Sequence, residues 1–186
     1  MSFRRVSEEV RFEGSLISVA TATFVGPDGE EFERDVVHHP GAVSVVPVVA
    51  RPGGGYEAIL VRQYRAAVDA ELLEVVAGKR DVAGEPPELT ARRELAEEIG
   101  MIAGRLDLLA EFYNSPGFCD EHSYVFVGLD LKPTESEAHG IEEQYMTIER
   151  VALDDVGAMI RSRQIVDAKT IIGLTLARQA LESMTP

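Results

Sequence analysis

Tryptophan is absent, and cysteine occurs once, at Cys119. One thiol rules out an internal disulfide framework and a thiolate zinc cluster. Cys119 itself reads as a small buried or semi-buried residue. Positive charge is scarce: 18 Lys and Arg stand against 32 Asp and Glu, for a formal net charge of −14. Nucleic-acid backbones and anionic lipid surfaces both require a basic footprint, so this balance weighs against both as partners. It leaves room for a phosphorylated ligand if a cation or a few local arginines mediate. No apolar run approaches the ~20 residues of a membrane span. The opening Met1-Ser-Phe-Arg-Arg-Val carries no apolar stretch ahead of a cleavage site, so the expected compartment is the cytoplasm.

The 186 residues suit a single domain (1–186) with its own core. Short β-branched runs fill the first two thirds. Strands are expected at residues 16–25 and 31–38, joined by Gly26-Pro-Asp-Gly29, a hairpin signal. His39-Pro-Gly41 then breaks the chain, separating N-terminal strands (1–40) from a core (41–186). Residues 42–50, 56–64 and 71–77 read as further strands, with Pro47 pointing to an edge or bulge in the first. At residue 87 the period changes. PELTARRELAEEI (87–99) is an amphipathic helix with proline in its first turn and Gly100 as its stop. Strands at 105–112, 123–131 and 146–153 follow, with an acidic loop from 133 to 140, then helices at 154–162 and 169–184. The sum is an α+β fold with a mixed sheet.

On the helix, at ~100° per residue, Glu97 and Glu98 lie about 60° and 40° to either side of Glu94. Like charges at these spacings destabilise a helix, and Arg93 offsets only part of that. Glu85 adds a fourth carboxylate just before the helix. Such crowding becomes favourable around a hard divalent cation, and Mg²⁺ takes carboxylates, water and phosphate oxygens.

The stretch from Gly78 to Met101, GKRDVAGEPPELTARRELAEEIGM, resembles the signature of the Nudix hydrolases. Glu85 is followed by seven residues and then by Arg93-Glu94-Leu95-x-Glu97-Glu98-x-Gly100-Met101. Six residues separate Gly78 from Glu85 where the family pattern has five, an insertion that a turn absorbs. The resemblance implies an α/β/α sandwich beside an N-terminal antiparallel sheet. It implies Mg²⁺ as cofactor, with Mn²⁺ as a possible substitute. Glu94, Glu97, Glu98 and the carbonyl of Ala77 would hold the metal, and Arg93 would pair with the glutamates and fix their rotamers. The reaction implied is attack by metal-activated water on a diphosphate.

Pro116, sixteen residues beyond Gly100, is similar to the mark of the family's ADP-ribose pyrophosphatase branch. Leu72–Gly78, Arg62–Arg65 and Glu33–Val37 also resemble that branch. There, arginines at the Arg34 and Arg65 positions contact the ligand, so Arg34, Arg65, Pro116 and Glu85 are expected at the substrate. The position of Ile17, where relatives often carry an aromatic to stack on adenine, does not match. The branch's general base is a loop glutamate: Glu142 matches best, Glu143 second, and Glu97 follows. The expected activity is cleavage of ADP-ribose to AMP and ribose 5-phosphate. Another nucleoside diphosphate sugar such as GDP-mannose is the alternative, as is a non-catalytic ligand-binding regulator. Relatives pair their N-terminal strands, so a homodimer is expected.

Overall fold

A computed structural model describes residues 2–135 and 145–184, which form two compact units. The first takes in the N-terminal residues to Ala42 together with Phe112–Ser123; the second takes in Val43–Glu111 and the chain from Tyr124 on. The sequence reading expects one domain, 1–186, with N-terminal strands over 1–40 and a core over 41–186. The grouping of 112–123 with the N-terminal strands was not foreseen there.

The first unit is an antiparallel sheet, order β1-β2-β3, of β1 (Arg4–Glu13), β2 (Ser18–Val25) and β3 (Glu31–His38). The 26–29 hairpin closes with Gly26 N–H donating to the Glu30 carbonyl at 2.8 Å. Phe24 and Phe32 face each other across that hairpin and stack at 5.5 Å. Ala20 and Ala22 are buried, whereas β1 is exposed along its whole length. The sequence reading did not place β1. Its ten residues include six charged ones, which are poor strand formers, and two register slips interrupt its alternation.

The second unit is a sheet of β4 (Ala42–Ala50), β5 (Tyr56–Arg65), β6 (Ala70–Glu74), β7 (Val76–Lys79), β8 (Met101–Tyr113), β9 (His122–Pro133) and β10 (Thr147–Ala152). Its main order is β10-β5-β4-β9-β8, with β6 on β5 and β7 on β4. Pro47 therefore marks no edge: β4 lies between β5 and β9, and its register with β5 begins one residue later, at Val48. Three helices are described: α1 (Pro87–Ile99), α2 (Val156–Arg161) and α3 (Ala168–Met184).

Strand alternation sorts the core into two layers. Val46, Val48, Ala58, Leu60, Leu73 and Val75 face Val156 of α2 and Leu174, Ala177 and Leu181 of α3. Val43, Val45, Ile59, Val61 and Val76 face Ala91, Leu95 and Ile99 of α1. The sheet thus carries a helical layer on each face, the expected sandwich. Leu95 is fully buried, so Leu95→Ala is expected to cost about 2–5 kcal/mol.

Candidate active site

Helix α1 starts on Pro87, whose missing N–H costs nothing in a first turn. It stops at Gly100, which takes the left-handed conformation (φ 62°, ψ 40°) and donates its N–H to the Ala96 carbonyl at 3.1 Å. The apolar row Ala91, Leu95, Ile99 seats the helix on the sheet. The neighbouring row, Thr90, Glu94, Glu98, is buried alongside it. Each glutamate is only 9 % exposed. Leu89, an apolar residue of the same helix, is exposed instead. The helix therefore turns two carboxylates inward, where an ordinary amphipathic helix would carry apolar side chains.

Two devices hold this row. The first is Gly78, at the end of β7. A Cβ built there would lie 1.9 Å from the carboxyl carbon of Glu94, so the glutamate fills the space that any other residue would need. The second is Arg93. Its Nη1 lies 2.9 Å from Glu94 Oε1 and 3.0 Å from Glu97 Oε2; its Nη2 lies 3.7 Å from Glu85 Oε2 and 3.9 Å from Asp81 Oδ1. Burial works against the Arg93 charge, but Glu94 and Glu97 outweigh it and hold its pKa above the ordinary value. Glu85 also accepts a bond from Thr90 Oγ1 at 2.7 Å, so a side chain two residues ahead of the helix is tied into its first turn.

The structure thus brings Arg93, Glu85, Glu94 and Glu97 together, with Glu98 one turn beyond Glu94 and Ala77 next to Gly78. Among the described residues, no three acidic, His or Cys side chains converge on a single point as a closed metal cage. The donors on offer are carboxylate oxygens. That is the donor chemistry of Mg²⁺ or Mn²⁺, not of a soft, thiolate-binding metal. The close seat of Glu94 on Gly78 is a cradle built for one carboxylate. On both counts the residues fit a hard divalent cation. Glu142 and Glu143 lie outside the described residues.

Arg65, at the end of β5, is committed on one edge. Its Nε and Nη2 donate to the two oxygens of Glu74 at 2.8 and 2.7 Å.

Arg34 and Pro116 belong to the first unit and line one cavity there, of 320 Å³. The segment carrying Pro116 is stitched to β3. Val37 N–H donates to the Phe118 carbonyl at 2.7 Å, and Asp120 N–H donates to the Val37 carbonyl at 3.0 Å. Asp120 also reaches the His39 N–H (2.9 Å) and His38 Nδ1 (2.5 Å), while His38 Nε2 lies 2.7 Å from Glu8. Phe24, Tyr113 and Phe118 line the same cavity, and Arg34 lies over the Phe32 ring at 4.8 Å. These aromatics were not picked out from the sequence. Ile17, the position compared with an aromatic of relatives, is not among the residues lining this cavity. Only the pairing of β3 with a segment about 80 residues away gathers the aromatics.

Comparison with known proteins gives the family and the fold. The family model described as the NUDIX domain matches residues 38–169. The chain is 35 % identical over 167 residues to an ADP-ribose pyrophosphatase of Bacillus subtilis (strain 168), covering 90 % of this chain and 88 % of the relative. It is 35 % identical over 173 residues to an ADP-ribose pyrophosphatase of Mycobacterium tuberculosis, covering 92 % and 81 %. In fold it matches the crystal structure of an ADP compounds hydrolase with a TM-score of 0.85 at 22 % identity, over 100 % of this chain and 97 % of that one.

Proposed function

This chain belongs to the NUDIX domain family as a hydrolase, and we propose that it cleaves the diphosphate of ADP-ribose, with Mg²⁺, to AMP and ribose 5-phosphate. The observation that carries this reading is the inward-turned row of α1, with Glu94 seated on Gly78 and Arg93 forked between Glu94 and Glu97.

Glu94, Glu98 and Glu97, with the Ala77 carbonyl, would hold Mg²⁺, and Mn²⁺ would substitute. When bound, the cation lowers the pKa of a coordinated water and offsets charge growing on the phosphate oxygens. The protein's own part is placement. Arg93 fixes the glutamate rotamers, and Glu85, anchored by Thr90, keeps Arg93 from swinging away. Glu142 takes the proton of the attacking water. Arg34 contacts the phosphate or adenosine end of the substrate, and the cavity it shares with Pro116 offers Tyr113 and Phe118 as stacking faces for the base. The family relatives named ADP-ribose pyrophosphatase support this choice of substrate.

The protein is also proposed to act as a cytoplasmic homodimer. Val6, Val10 and Phe12 of β1 are 40–57 % exposed, on a strand that carries no buried residue. Among the described residues, no helix is long and apolar enough to cross a membrane.

The test is a panel of nucleoside diphosphate derivatives, including ADP-ribose and GDP-mannose, assayed with Mg²⁺ and with Mn²⁺ and with products identified by mass. AMP and ribose 5-phosphate from ADP-ribose as the best substrate is the expected result. Preference for GDP-mannose would overturn the substrate. Turnover undiminished in excess EDTA would overturn the metal.

A further inference from the structure

Glu74 is fully buried and ionised. Burial pushes its pKa up, but the Arg65 hydrogen bonds and the Lys169 charge outweigh that and hold it below the ordinary carboxylate value. Arg65 grips both of its oxygens, at 2.8 and 2.7 Å, and Lys169 Nζ reaches Oε2 at 2.5 Å while also lying 2.9 Å from Asp167. A buried ion pair of this kind contributes little to stability that an apolar side chain of the same volume would not. Its worth has to be sought in what it orients.

Its place on the sheet gives the direction. In the β5–β6 register Glu74 stands opposite Val61, and Val61 packs in the α1 layer. By strand alternation Glu74, Gln63 and Arg65 therefore lie on the face that α1 covers, the face into which Glu94 and Glu98 turn. Glu98 lies within electrostatic reach of Arg65. The guanidinium spends its Nε/Nη2 edge on Glu74 and makes no other hydrogen bond among the described residues, and the side chain is 39 % exposed. The opposite edge, Nη1 with the second Nη2 proton, remains open. Gln63, two residues earlier and 6 % exposed, buries an amide nitrogen that has no partner among the described residues. Unspent donors beside a row of carboxylates suit an anion that arrives with a cation.

We infer that Glu74 is a positioning residue: it locks Arg65 by one edge so that the other edge addresses the diphosphate served by the Glu94–Glu98 row. The inference rests on the hydrolase reading above. Its carrier is the two-point grip of a buried carboxylate on Arg65, which fixes the plane of the guanidinium as a single bond would not.

The experiment compares wild type with Glu74→Gln, Arg65→Lys and the double variant, reading KM, kcat and melting temperature with ADP-ribose and Mg²⁺. Gln keeps the volume but offers one acceptor oxygen. KM is expected to rise roughly tenfold to a hundredfold in either single variant. The melting temperature of Glu74→Gln should fall, because Arg65 and Lys169 lose the buried charge that pairs them, so KM is the readout that decides, and in KM the double variant should be no worse than the poorer single one. If Glu74→Gln does not fold, Glu74→Asp replaces it, keeping the charge but drawing the carboxylate back, with the same expected rise in KM. A lowered melting temperature with KM unchanged, or additive effects in the double variant, would overturn the positioning role. A wild type inactive on every nucleoside diphosphate would bring down the hydrolase reading itself, and this inference with it.

Discussion

Gly78 and Glu94 claim the same space: a Cβ on Gly78 would stand 2.1 and 2.4 Å from the two carboxylate oxygens of Glu94. Gly78→Ala therefore evicts the glutamate without touching it chemically. Misplacing a reacting geometry by about 1 Å costs on the order of 10²-fold, and kcat is expected to fall by that much. Overpacking of this kind costs roughly 1–3 kcal/mol, so the variant should still fold. Circular dichroism and calorimetric Mg²⁺ titration of Gly78→Ala check both halves. Normal Mg²⁺ affinity and rate would refute the cradle.

Glu98→Gln keeps the shape of the inward row and removes one charge. Loss of an outer partner of a metal ligand typically costs 10–100-fold, so loss of a ligand itself is expected to cost at least about 100-fold in kcat/KM. The variant should remain folded, because Leu95 and Ile99 still seat the helix. Rates measured across a Mg²⁺ series would show whether high metal restores part of the loss.

For the general base, Glu142→Gln is expected to lower kcat by ~10²–10⁴-fold with Mg²⁺ affinity nearly intact, and Glu143→Gln to do much less. The reverse order would shift the base by one residue. If neither variant is impaired, Glu97 becomes the candidate to test.

His38 gives a pH signature. Its bond to Asp120 raises its pKa, burial lowers it, and Glu8 raises it again, leaving it above the ordinary 6.5. The charged form is thus favoured on folding, when both ring nitrogens donate. This stability is fully present below pH 6.5 and is lost as pH rises through the folded value above it. Asp120 behaves oppositely. Burial raises its pKa, but the His38 and His39 bonds hold it below 3.8, so its contribution is lost only as pH falls through that lowered value. The gap in melting temperature between wild type and His38→Gln should be widest between about pH 4 and pH 6.5 and narrow above. A gap that is flat up to pH 9 would contradict it.

A homodimer is expected from the exposed apolar positions of β1. Sedimentation at micromolar concentration should show two chains. Val10→Lys with Phe12→Lys should shift the species toward monomer. Monomeric wild type would count against it.

The α1 glutamates were legible in the sequence because their chemistry is local: a helix converts spacing directly into faces, and residues 85–101 contain their own start, stop and register. The strands of the second unit were legible for a similar reason, since their β-branched runs are bounded by turn residues. β1 was not, because its charged residues mask a strand whose partner, β2, supplies the missing preference. The grip of Glu74 on Arg65 depends on the exact pairing of β5 with β6, which spacing alone does not fix. The aromatics around Arg34 depend on a backbone bridge between Val37 and Cys119, and no local pattern announces contacts across 82 residues.

Arg93 stands within 4 Å of Asp81, Glu85, Glu94 and Glu97 at once. A zinc finger collapses when its ion is taken away, because nothing else reconciles its ligands. Here a covalently attached cation already does so, and the four carboxylates need no visiting ion to sit side by side. Chelation should therefore silence this protein without melting it, and returning the metal should restore it with no refolding step, so that metal supply can act on it as a reversible throttle.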